Sequence, residues 1–354
     1  MKIACLYDGH GANWVSHGGF DAEKLFDSPH GISGTELQMF GHAQELAAMG
    51  HEVSVFSVFK KTDGCSWQQV KAGMPYGSLT MRQLHGPHDP CDVAIAYHDG
   101  RPLDRWNAKV KVALHQTFLV PNRQQDATYT GANTADIYIT ASDHVAGHLE
   151  RSYGWPRVHV VPNAWDLGKI QPWSPVPGRI VYTTSLERGF HRLLEALPAI
   201  RERVPNAHVV AFGRGGPMVE KLKNEKIPGV ALLGASSRNE VLKVLATGSV
   251  FGYPCDVSQP TECYPVSMLE ACATGVPVVF CNEDNIGELF SDGVMLSASV
   301  KQNPKYWKDD FVGRVCGMLT HQETASYWSQ RGRKFADPLR FASVTRTLAG
   351  VVGL

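Results

Sequence analysis

The amino-acid sequence predicts an α/β chain of two doubly wound, Rossmann-like parallel-sheet domains facing across a cleft, and three observations carry that prediction. Short apolar runs rich in β-branched residues alternate with longer amphipathic stretches from end to end, the pattern of strand-helix-strand units. The alternation breaks once, at residues 169–178, where Pro172, Pro175 and Pro177 suit a semi-rigid connector and disfavour both a helix and a central strand. The chain has 354 residues, enough for two domains at roughly 100 to 200 residues each.

In chain order, strands are predicted at residues 2–7 and 52–58, bracketing a helix over 34–50 in which Leu37, Phe40, Ala43 and Ala47 keep helical spacing and Gly50 supplies the stop. Strands at 93–97, 110–114, 137–140 and 158–161 complete the first sheet. After the connector come a strand at 179–183, a helix at 187–203, and strands at 208–212, 230–233 and 250–253. A helix over 261–274 and a buried strand at 277–280 follow, then helices from Trp307 onward, with Pro338 expected to open the last one. The domain boundaries expected are 1–168, linker 169–178, and 179–325. Helices at 326–354 are expected to pack back on the N-terminal domain.

Composition removes several functions. An apolar content of 43% with 34 Lys+Arg against 34 Asp+Glu excludes disorder and argues against nucleic acid as an obligatory partner, because no overall basic surface exists to neutralise phosphates. The eight cysteines form no Cys-x-x-Cys pair and read as reduced thiols. No apolar run has the roughly 18 residues a transmembrane segment needs, and the start Met1-Lys-Ile-Ala-Cys-Leu-Tyr-Asp8 lacks a secretory apolar core. A cytoplasmic location is expected.

In such folds ligands bind on the loops after the strands. The most informative of these runs from Thr261 to Val279. Glu262 falls in the loop before a helix, Pro265 in its first turn, and Glu270 in its second turn. Free first-turn amides, such as those of Val266 and Ser267, suit an anion, and a neighbouring carboxylate can accept both hydroxyl hydrogens of a ribose diol. A nucleotide diphosphate meets both requirements. The same glutamates would also serve as ordinary surface carboxylates at a helix N-terminus, and spacing leaves that choice open.

The segment from Glu262 through Glu270 to Gly275-Val-Pro-Val-Val279 resembles the signature of glycosyltransferase family 4, retaining enzymes of the two-domain GT-B fold. Gly34-Thr-Glu36 with Gly50-His-Glu-Val53, Val161-Pro-Asn-Ala-Trp-Asp166, Asn285-Ile-Gly-Glu288 and Asp292-Gly293 are similar to further family segments in the right order. The resemblance implies that Glu262 lies near the donor sugar and that Glu270 binds the ribose. Tyr264, Val266 and Ser267 would line the donor site. A basic pair usually grips the diphosphate; here Arg188 stands at the lysine position and Ser185 at the arginine position, so one cation is missing. Arg214 could supply another or be a solvated loop cation. His115 matches a histidine beside the donor sugar, although a lone histidine after a strand also fits a structural role. Gly34 would let backbone approach phosphate or sugar, or would simply start a helix.

The long Gly- and His-rich segment 9–33 suggests acceptor recognition. His10, His17 and His30 follow no metal-ligand spacing. Arg331, Arg333, Lys334, Arg340 and Arg346 read as a solvated helix face.

The function expected is transfer of a sugar from a nucleotide-diphosphate donor to a saccharide, glycolipid or other hydroxyl acceptor, with retention of configuration. It would need no metal and no covalently bound cofactor. The alternatives are a non-hydrolysing nucleotide-sugar epimerase and a degenerate nucleotide- or saccharide-binding protein.

Overall fold

The computed structural model describes residues 1–7, 26–27, 32–57, 68–70, 79–84, 88–98, 100–116, 135–213, 217–256, 263–283 and 286–354. Glu262, Arg214, the histidines at 10, 17 and 30, and most of segment 9–33 lie outside them. The chain divides into two compact units, one of Met1–Leu25, Ile32–Ala164 and Phe341–Leu354, the other of Phe26–Gly31 and Trp165–Arg340. Each is an α/β layer structure around a parallel sheet.

The first unit has an eight-stranded sheet ordered β3-β4-β2-β1-β5-β6-β7-β8. Its strands are β1 (Lys2–Leu6), β2 (Glu52–Ser57), β3 (Gln68–Val70), β4 (Leu79–Gln83), β5 (Cys91–Tyr97), β6 (Ala108–His115), β7 (Ile137–Thr140) and β8 (Val158–Val160). Every pair is parallel except β3 with β4. The central strands are buried on both faces, as Ile3, Ala4, Cys5 and Leu6 of β1 show, which is why they read as continuous apolar runs rather than alternating ones. Burial pushes the Cys5 thiol up to about 12, so it stays protonated and unreactive.

Helix α1 (Gly34–Ala48) follows β1, and α2 (Asp143–Tyr153) follows β7. The final helix, α10 (Phe341–Val352), lies against α1. A side chain at Gly41 would place its Cβ 2.2 Å from the Phe341 ring, so glycine lets the two helices touch. Beside it, Nδ1 of the buried His42 is 2.8 Å from Thr345 Oγ1, and its ring sits between Tyr97 and Phe341. Desolvation there drives the His42 pKa down from 6.5 to about 3, so the ring stays neutral.

The second unit has a six-stranded parallel sheet ordered β11-β10-β9-β12-β13-β14. The strands are β9 (Arg179–Tyr182), β10 (His208–Phe212), β11 (Val230–Leu233), β12 (Val250–Tyr253), β13 (Val278–Cys281) and β14 (Met295–Ser297). Helices α3 (Phe190–Arg203), α4 (Pro217–Glu225), α5 (Arg238–Leu245), α6 (Val266–Thr274), α7 (Ile286–Phe290), α8 (Trp307–Thr320) and α9 (Gln322–Ala336) complete it. The proline-rich stretch forms no regular element, as its composition requires, but it is pinned. Ser174 and Val176 amides donate to Ala246 and Thr247 carbonyls, and the Trp173 indole donates to the Gly248 carbonyl at 2.8 Å.

Some predicted boundaries shift. The helix expected over 261–274 begins at Val266, with Pro265 one place earlier than expected, at the N-cap; extended backbone at a proline N-cap delays the first turn. Residues Leu186–Arg188 form a 3-10 turn, and α3 starts only after the left-handed Gly189. Pro338 lies in another 3-10 turn, Asp337–Leu339, and the last helix opens at Phe341.

Candidate functional site

Numbered from β9, the second sheet runs 3-2-1-4-5-6. Strand order therefore reverses between β9 and β12, and in open parallel sheets the crevice beyond the carboxyl ends at that reversal is where ligands bind. Two loops leave it, one toward α3 and one toward α6.

The loop after β9 contains Ser185, the 3-10 turn and Gly189. Gly189 has φ +107, and a Cβ there would stand 2.1 Å from the Pro254 carbonyl oxygen and 2.7 Å from the Asp256 amide. Only glycine lets the two loops meet. Ser185 is exposed; its hydroxyl donates to a Glu187 carboxylate oxygen at 2.5 Å, and its carbonyl accepts from the Tyr182 hydroxyl at 3.0 Å. The position where the resemblance calls for arginine therefore carries a hydroxyl tied to an acid. Arg188, half-buried, ends the same turn.

The loop after β12 is tied to α3 by Asp256. One of its oxygens accepts from Arg192 Nε at 2.7 Å and faces His191 Nε2 at 3.2 Å. Partial burial opposes its ionisation, but the hydrogen bonds and charges of Arg192 and His191 prevail and hold it below the usual carboxylate range. Sequence reasoning missed this cluster. The dipeptide His191-Arg192 at a helix start gave no local sign of its acidic partner, which is brought close by the Gly189 contact.

Helix α6 begins without a side-chain cap, because Pro265 has none to offer. The Met268 and Leu269 amides reach the Pro265 carbonyl, whereas those of Val266 and Ser267 have no hydrogen-bond partner among the described residues. Two donors at the positive end of a helix dipole are thus available to an anion. Tyr264 packs its ring on Phe290 at 5.0 Å, and burial raises the pKa of its hydroxyl.

Glu270, on the second turn of α6, is 2% exposed. It does not face bulk solvent, and its Oε1 forms an ion pair with Arg238 Nη2. The same guanidinium group donates to the Leu167 carbonyl at 3.3 Å. Arg238 is the other residue sequence reasoning missed.

The remaining predicted residues lie in the first unit. His115 ends β6, fully buried, edge-on to Trp155 at 4.7 Å. Gly34 is the exposed first residue of α1, directly after Ser33, which caps the helix in a reciprocal box with Glu36. Among the described residues no group of three or more His, Cys, Asp or Glu side chains is arranged to hold a metal ion.

Residues 177–335 match the family model Glycosyl transferases group 1. The match encloses both loops, Asp256, Arg238 and Glu270, but not Leu167. A stretch of 109 residues is 33% identical to a GDP-mannose-dependent alpha-(1-6)-phosphatidylinositol monomannoside mannosyltransferase of Mycobacterium tuberculosis, covering 28% of this chain and 28% of that protein. The chain thus matches little more than a quarter of that curated relative's length. Among solved structures, sucrose-phosphate synthase from Thermosynechococcus elongatus superposes with a TM-score of 0.68 at 14% identity, covering 99% of this chain and 98% of that one. S. aureus TarM, solved as a mutant in complex with fondaparinux, alpha-GlcNAc-glycerol and UDP, gives 0.61 at 12% identity over 74% of this chain and 55% of that one. The glycosyltransferase WaaG gives 0.61 at 16% identity, covering 99% of each chain. At these identities the structures show the fold, which is that of GT-B glycosyltransferases. The family match supports a glycosyltransferase.

Proposed function

We propose that the chain transfers a sugar from a nucleotide-diphosphate donor to a hydroxyl group of a saccharide, glycolipid or other acceptor, with retention of anomeric configuration. The observation that carries this reading is the β12–α6 junction. An uncapped helix N-terminus and a buried glutamate one turn further on lie beside a strand-order reversal, inside the segment that matches the glycosyl transferase model. The amides of Val266 and Ser267 would take a phosphate, and the Glu270 carboxylate a ribose diol.

Breaking the bond between sugar and diphosphate leaves negative charge on the leaving group and positive character on the ring. Arg188 and the α6 N-terminus supply fixed positive electrostatics for the leaving phosphate. That arrangement needs no metal, so a chelator should leave transfer unchanged. Glu262 and His115 keep the roles the family resemblance implies, near the donor sugar, while Arg214 is a candidate second phosphate cation and Gly34 a candidate close backbone approach. Ser185 gives no cation, so the charge demand falls on Arg188.

A thermal-shift panel of nucleoside diphosphates and their sugars tests the reading. A ligand at 100 times its dissociation constant adds about 2.7 kcal/mol of stability, a shift of a few degrees. Transfer to an acceptor in the presence of the stabilising donor supports the proposal. Stabilisation without transfer to any acceptor favours the binding-protein alternative, and isomerisation of the donor alone favours the epimerase.

A further inference from the structure

Arg238 occupies a place that disfavours it twice. It is the first residue of α5, whose N-cap is a complete Ser237–Glu240 capping box, so its positive charge sits at the positive end of a helix dipole. It is also only 8% exposed, which strips the guanidinium of most of its hydration. A capping-box helix start ordinarily carries such a side chain in solvent. Here the stem runs past Gly168, where a Cβ would lie 3.5 Å from Arg238 Cγ, and the head is anchored on the Leu167 carbonyl.

What offsets both penalties is Glu270, and the pairing is incomplete. The two groups meet as an ion pair, yet neither Glu270 Oε1 nor Arg238 Nε has an aligned hydrogen bond. The carboxylate is held by charge and keeps acceptor capacity that burial makes costly to leave unused. Hydroxyl hydrogens arriving from a ligand would use it.

We infer that Arg238 is a positioning residue for nucleoside recognition, whose guanidinium, braced on the Leu167 carbonyl, holds the Glu270 carboxylate in place to accept the hydrogens of a ribose diol. This rests on the assignment of Glu270 to the ribose. Arg238 itself need not touch the nucleotide. Both contacts come from Nη2, and a planar guanidinium held in this way orients a carboxylate more tightly than a freely rotating ammonium does.

The test is calorimetric titration of the full-length wild type, R238K, R238M and E270Q with UDP and GDP and with their 2′,3′-dideoxy forms. The wild type should prefer the ribose form of its nucleotide by at least about tenfold, the value of one or two hydrogen bonds to a buried charge. E270Q should lose that preference. In R238M the preference should fall to about threefold or less while affinity for the dideoxy form stays as in wild type, and R238K should fall between. Equal weakening of both forms would reduce Arg238 to a fold-stabilising brace, and a full ribose preference in the Arg238 variants alongside its loss in E270Q would overturn the inference alone. If the wild type shows no ribose preference and E270Q binds as it does, the assignment of Glu270 has failed and the inference with it. Should R238M not fold, R238K decides, since it keeps the buried charge.

Discussion

Helices α1 and α6 each stand beside the strand-order reversal of their own sheet, and they begin in opposite ways. At α1 the Ser33 side chain accepts from the Glu36 amide and Glu36 returns a carboxylate oxygen to the Ser33 amide. At α6, Pro265 gives no side-chain bond, and Glu270 sits two residues beyond the third helical position from which a capping carboxylate reaches back. A helix whose first donors are internally satisfied has little left for an anion, while one opened by proline keeps two. The difference supports the proposed seat of the phosphate in the second unit.

The largest effect that could break this contrast is on turnover. Arg188→Ala should cut transfer at least about a hundredfold, because removing one preorganised group that stabilises developing charge costs about 3 kcal/mol. Wild-type kcat in that variant would show that the α6 terminus does not share its phosphate with the β9 loop. Next comes Gly189→Val, which forces a branched side chain into a left-handed backbone against Pro254. A stability loss of about 3 kcal/mol is expected, read as a lowered denaturation midpoint, and an unchanged midpoint would mean that the two loops do not meet.

The first unit should respond to acid instead. The folded chain keeps His42 neutral down to about pH 3, whereas an ordinary histidine titrates near 6.5. The unfolded chain therefore binds a proton that the folded one refuses. The stability from this site is complete above pH 6.5 and declines as pH falls toward 3, by up to about 1.4 kcal/mol per pH unit. Denaturation followed between pH 7 and 4 should show this slope diminished in His42→Gln. The smallest effect concerns the cap itself. Ser33→Ala should cost about 1 kcal/mol and leave nucleotide affinity untouched, which would sharpen the distinction between a helix start that stabilises and one that binds.

Much of this was legible in the sequence. Strands at 137–140, 208–212, 230–233 and 250–253 coincide with the observed elements residue for residue, because short apolar runs bounded by polar and turn residues mark strands by their length and composition. Helix starts were less legible. Pro265 and Pro338 read as first-turn residues, yet one is an N-cap and the other belongs to a 3-10 turn, since proline fixes φ and leaves ψ to tertiary context. Glu270 was visible as a motif member, but its ion pair was not. Ser237-Arg-Asn-Glu240 reads as an ordinary capping box, and nothing local reports that Arg238 turns inward to a carboxylate on another helix. The Asp256–Arg192 contact was hidden in the same way, because it depends on the close approach at Gly189.

The most direct measurement of the central claim is the dissociation constant of the nucleoside diphosphate selected by the thermal-shift panel, compared between wild type and Glu270→Gln at equal fold integrity. A loss of affinity of about tenfold or more is expected, with the unfolding transition retained. Equal affinity in the two proteins would contradict it.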